Sequence, residues 1–240
     1  MKKIDKGSKS VALKAFLSAF PYTIPIMTGF LFLGMTYGLY MHINGFSFVY
    51  PMLMSLTIFA GSVEFVAVNL LLGAFNPLQA FFVTLMLNAR HIFYGLSMLD
   101  KYKNTGWKKP YLIFGLCDET FSINCSTTIP DGVDKGYFMF FVTLLNQIYW
   151  VVGATLGGLF GSVITFNTEG LEFVMVALFA VIFLENFLKE KDHFGSFTGV
   201  LSALLALIIF GSDSFMIPAM ILIIFVLTLY RKRYEKEEAK

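Results

Sequence analysis

The sequence predicts an all-α, polytopic integral membrane protein of about six to eight transmembrane segments, two of them re-entrant or broken within an inverted repeat. Three observations carry this. Of 240 residues, 57% are hydrophobic and 14% charged, with 28 Phe and a mean hydropathy of +0.71, a balance that no water-solvated globular surface tolerates. Apolar runs long enough to cross about 30 Å of hydrocarbon at 1.5 Å per residue recur along the chain, and helices satisfy their own backbone hydrogen bonds there. Lys and Arg gather at the ends of these runs, so the formal charge of +2 reads as topology anchors and gives no nucleic-acid surface.

Gly, Pro, Asn and charge punctuate eight apolar segments. Phe16–Met41 follows Lys2, Lys3, Lys6, Lys9 and Lys14 and stops before Asn44-Gly45. Phe48–Phe75 stops at Asn76-Pro77, and Leu78–Met98 at the loop Asp100 to Pro110. Tyr111–Thr128 ends at Pro130-Asp131-Gly132, and Gly136–Gly161 precedes the polar run Asn167 to Gly170. Leu171–Leu188 meets Lys189 and Lys191, Ser196–Phe210 meets Gly211, and Ser214–Tyr230 meets the basic flank Arg231-Lys232-Arg233. Residues 1–14 and 231–240 are therefore expected to be charged cytoplasmic ends around a membrane domain at 15–230. The apolar start carries no small-residue cleavage pattern, so the N-terminus is expected to be retained. Cys117 and Cys125 have no His at metal-ligand spacing and read as reduced packing residues; no metal or cofactor is expected.

Basic flanks at both ends place both termini in the cytoplasm and require an even number of crossings. The loop holding Lys101, Lys103, Lys108 and Lys109 is the test, because three full spans before it would put it outside. An internal repeat offers a resolution. Ile58-Phe59-Ala60-Gly61-Ser62-Val63-Glu64-Phe65, followed by Phe81 to Asn88, resembles Ile113-Phe114-Gly115-Leu116-Cys117-Asp118-Glu119-Thr120-Phe121, followed by Phe140 to Asn146. If the second and fourth segments dip in and return, every basic flank becomes cytoplasmic and the two repeat units have opposite orientation. The other reading is an eight-span bundle in which one basic loop departs from the statistical charge rule.

Asn88, Arg90 and His91 lie within the apolar run Leu78–Met98, where ionisable groups cost several kcal/mol unless paired or facing a wet cavity. On a continuous helix Asn88, His91 and Gly95 share one face, with Arg90 and Tyr94 on the next. Arg90 offers a planar fork of donors suited to a carboxylate, whether a substrate's or that of Glu64, Asp118 or Glu119. His91 is a candidate proton relay. Gly61 and Ser62 mark a small-residue helix break before Glu64. An isolated buried carboxylate there takes up a proton rather than stay charged, which suits proton coupling. Asp118 and Glu119 project about 100° apart, so one can meet Arg90 while the other titrates. Asn146 and Trp150 lie four apart, with Gly153 and Gly157 continuing that face as packing positions. Each polar position has a structural alternative, in that an intramembrane ion pair can simply lock two helices.

With these motifs in view, the chain resembles the AzlC-type, or azaleucine-resistance, branched-chain amino acid permeases. The resemblance rests on Ala60-Gly61-Ser62-Val63-Glu64-Phe65, Asn88-Ala89-Arg90-His91 with Tyr94, Asp118-Glu119-Thr120-Phe121 and Leu171-Glu172-Phe173, and it spans roughly Ala15 to Phe225. It implies a bacterial cytoplasmic-membrane exporter of branched-chain amino acids, driven by an ion or proton gradient and acting with a small AzlD-type membrane partner. This sequence departs at Glu64, where that family often has Gln, and at Glu172, where Asp is frequent.

Three function classes follow. A carrier of small apolar amino acids needs a cation for the carboxylate, acceptors for the ammonium and an apolar pocket, which Arg90, the Asp118/Glu119 pair with Asn88 or Asn146, and the many Phe can supply. Paired broken segments also build passive pores. An intramembrane enzyme is disfavoured, since there is no His-x-x-x-His, no nucleophile beside a base and no metal-ligand spacing, and without a phosphate-binding Gly-rich loop the chain is not expected to hydrolyse ATP on its own.

Overall fold

The computed structural model describes residues 6–74, 76–161, 193–211 and 215–238, with single positions between 173 and 188. Their regular structure is helical throughout. The chain divides into two compact units, Met1–Leu171 and Glu172–Lys240. The first holds α1 (Lys6–Ile43), α2 (Val49–Thr57), α3 (Gly61–Leu72), α4 (Pro77–Leu87), α5 (Arg90–Met98), a 3-10 turn (Gly106–Lys108), α6 (Lys109–Phe114), α7 (Asp118–Ser126) and α8 (Lys135–Phe160). In the second, α9 (Phe194–Phe210) packs on α10 (Met216–Glu238), with the rings of Phe194 and Tyr230 stacked at 3.9 Å. Most of the expected segment Leu171–Leu188, with Glu172, lies outside the described residues. Both basic ends expected as tails are partly helical, since α1 begins at Lys6 and α10 runs to Glu238.

Among the described residues, Ser10–Ile43 within α1 and all of α8 are long and apolar enough to cross a membrane. These two helices pack along each other and form the spine of the first unit. Hydrocarbon gives no hydrophobic drive for helices to associate, so close approach rests on small residues. Here Gly34 and Gly38 of α1 face Gly153 and Gly157 of α8: a Cβ on Gly38 would lie 2.0 Å from the Ala154 carbonyl oxygen, and one on Gly157 2.1 Å from that of Met35. Packing was the expected task of Gly153 and Gly157; their partners on α1 were not among the candidates.

The second and fourth apolar segments are broken, as expected: α2 gives way to α3 across Ile58–Ala60, and α6 to α7 across Gly115–Cys117. The third, expected as one helix, also divides. At Asn88-Ala89 the backbone tightens, with the His91 and Ile92 N–H groups bonding three residues back to Asn88 and Ala89, while the His91 ring Nδ1 lies 3.1 Å from the same Asn88 oxygen. Asn88 therefore precedes a new helix that starts at Arg90, but the backbone at Ala89 stays right-handed helical, and residues three apart, as Asn88 and His91 are, stay aligned across such a turn. At the far end of α7, Lys101 Nζ donates to the Asn124 and Cys125 carbonyls, which a helix C-terminus leaves unsatisfied.

Candidate functional site

At the first break, Phe59 adopts a left-handed backbone, φ +48°, which costs a residue with a side chain roughly 1–2 kcal/mol. Its buried ring meets Phe30 edge-on. The break thus falls just before Gly61 and Ser62, which were expected to make it and instead form the first turn of α3. Gly61 is needed for space: a Cβ there would lie 3.0 Å from the Trp150 ring. Glu64, fully buried at 0% exposure, accepts the Ala60 N–H at 3.0 Å, and its two oxygens receive Trp150 Nε1–H at 3.1 and 3.0 Å. The first turn of a helix also favours negative charge. Every feature of Glu64 here is that of a buried acid satisfied by the protein. Glu64→Leu is expected to lower the thermal stability of purified protein in detergent, since each orphaned donor costs about 1–3 kcal/mol, and Glu64→Gln, which keeps one acceptor, to lower it less.

At the second break, Asp118 and Glu119 occupy the first turn of α7. Asp118 Oδ2 pairs with Arg90 at 2.7 Å, and the two side chains are 23% and 32% exposed, so the pair is neither sealed nor freely solvated. Of the three carboxylates open to Arg90, the structure selects Asp118. Glu119 makes no ion pair among the described residues. Tyr94 stacks on Phe121 at 4.4 Å, stands beside Asp118, and meets the His91 ring edge-on at 5.6 Å. Charge and aromatic contact together hold α5 against α7.

The fully buried Asn146 donates through Nδ2 to Thr120 Oγ1 at 3.3 Å, two residues beyond Asp118. Gln147 donates through Nε2 to the Leu56 carbonyl at 3.0 Å and accepts from the Tyr111 hydroxyl. With Trp150, three neighbouring side chains of α8 reach both breaks. Neither Gln147 nor Tyr111 was a sequence candidate; an amide inside an apolar helix was the available signal. The buried oxygens without a protein hydrogen-bond partner among the described residues include Asn88 Oδ1, Asp118 Oδ1 and Asn146 Oδ1, together with Asn124 Oδ1 and the Tyr102 hydroxyl. An apolar cavity of about 290 Å³ lies between α5 and α6, lined by Ile92, Leu96, Leu99 and Leu116 among others. Ile92 is two residues from Arg90 and so lies roughly 200° around the helix; the cavity occupies another face of α5 from the ion pair.

The arrangement is a pair of broken helices whose acids, Glu64 and Asp118, are held by side chains of other helices. Residues 25–164 match the family model described as AzlC protein. The chain belongs to the AzlC family. Among its AzlC relatives, the branched-chain amino acid transport protein AzlC of Bacillus subtilis is 64% identical over 232 residues, 97% of this chain and 91% of that one. An uncharacterized membrane protein of Haemophilus influenzae is 51% identical over 95% of this chain and 92% of its own. The inner membrane protein YgaZ of Escherichia coli is 24% identical over 74% of this chain and 75% of its own. No solved structure matches. These relatives are named as a branched-chain amino acid transport protein and as membrane proteins.

Proposed function

We propose that the chain is a secondary carrier that exports leucine, isoleucine, valine and close analogues across the bacterial cytoplasmic membrane, coupled to a proton or ion gradient and working with a small AzlD-type membrane subunit. The Arg90–Asp118 pair carries the reading. A zwitterion has one charge of each sign, so it can part this pair without leaving a net charge in the membrane. Its carboxylate takes the guanidinium fork, and its ammonium takes Asp118 together with the unpartnered oxygens of Asn88 and Asn146. Glu119, beside Asp118 but outside its ion pair, is the acid left to carry a coupling proton, with His91 as its relay.

The crosswise pairing of the breaks supports an inverted repeat. Glu64 of the first broken segment is held by Trp150 of α8, the helix that follows the second; Asp118 of the second is held by Arg90 of α5, which follows the first. Two units that exchange acid and donor in this way suit a site shared between them. With both broken segments returning to the side they entered, the loop from Asp100 to Pro110 and both termini lie in the cytoplasm.

Efflux of preloaded labelled leucine from vesicles, with and without a co-expressed small partner and across imposed pH gradients, tests this. A carrier moves leucine against its gradient when a pH step is applied. Flux that only runs downhill means a passive channel, and no leucine flux under either condition removes the substrate assignment.

A further inference from the structure

In an unbroken helix the Ala60 N–H would bond to the Leu56 carbonyl four residues back. At the first break that bond is absent, and a side chain has taken each of its ends. Glu64 Oε1 accepts the Ala60 N–H, and Gln147 Nε2 donates to Leu56 O, both at 3.0 Å. The other end of the same buried amide, Gln147 Oε1, accepts the hydroxyl of Tyr111, which sits on α6 four residues before the second break begins. One side chain therefore ties the cut end of α2 to the helix that leads into the other break.

We propose that Gln147 is a positioning residue that couples the two broken segments, so that neither rearranges alone. Closing the first break would restore the Ala60–Leu56 bond and displace Nε2. The amide would then have to turn, and turning it withdraws the acceptor from Tyr111 and loosens α6. The reverse sequence follows from a movement of α6. This goes beyond the transport reading and rests on it only where turnover is measured.

The test uses the full chain in vesicles with Tyr111→Phe, Gln147→Leu and the double variant, each also carrying Thr57→Cys and Cys125→Ala. Thiol-labelling rates are read at the cysteine introduced at the first break and at native Cys117 in the second. Tyr111→Phe removes only the hydroxyl near the second break, yet the labelling rate at the first break is expected to change by about five-fold, the worth of one ordinary hydrogen bond. Leucine turnover per folded, membrane-inserted protein is expected to fall by a similar factor with half-saturation altered by less than about two-fold; the normalisation matters because loss of folded protein also lowers the raw rate at unchanged half-saturation. The double variant is expected to be no worse than Gln147→Leu alone. Unchanged labelling at the first break in Tyr111→Phe, or multiplicative effects of the two substitutions, overturns the proposal. If Gln147→Leu fails to fold, the Tyr111→Phe labelling decides by itself. If the parent chain carries no leucine, labelling still decides, so a wrong substrate and an absent coupling are told apart.

Discussion

Arg90→Gln is expected to abolish leucine efflux while the protein still reaches the membrane. The substitution leaves the Asp118 carboxylate without its cation and removes the fork that a substrate carboxylate needs. Loss of one charge-assisted hydrogen bond is worth about 1.5–3 kcal/mol, or roughly ten- to a hundred-fold in rate, before the uncompensated acid is counted. Arg90→Lys keeps the charge without the planar geometry and should fall between wild type and Gln. Vesicle efflux normalised to membrane-inserted protein measures all three. Leucine efflux unaltered in Arg90→Gln would show that the ion pair only locks α5 to α7.

The second large effect is structural. Gly38→Val is expected to destabilise the first unit by about 3 kcal/mol or more, at the upper end of overpacking costs, because the clash is with main chain that cannot rotate away. The nearest atom to the new Cβ is the Ala154 carbonyl oxygen at 2.0 Å. Gly29→Ala, on the same helix, meets nothing within 4 Å and is the matched control. Thermal unfolding in detergent should separate the two sharply; equal stability would mean that α1 and α8 do not cross at these glycines.

What the chain alone revealed depended on how costly each residue was to misplace. Arg90 and the acids stood out because charge inside an apolar run demands a partner, yet three carboxylates were equal until the helix starts were known. Both broken segments were legible from the repeat, but the position of the first break was not. Glycine is the usual residue for a left-handed turn, and here Phe59 takes that conformation because its ring is buried against Phe30. The interruption at Asn88-Ala89 has no Gly or Pro to announce it. Gln147 was passed over beside Asn146 because a neutral amide carries little cost in a sequence reading, although its two hydrogen bonds lie 91 and 36 residues away along the chain. Gly34 and Gly38 lie in a segment read for hydropathy, which is blind to spacing.

Lys101 gives the loop before α6 a second meaning. Its ammonium closes the C-terminal end of α7 while Asp118 and Glu119 occupy the opposite end, so a helix of nine residues, too short to persist alone, is clamped by opposite charges at its two poles. Charge-deletion scans designed to map which side of the bilayer this loop faces will confuse orientation with local melting at that position. Lys109, exposed at the start of α6, is the cleaner reporter of sidedness.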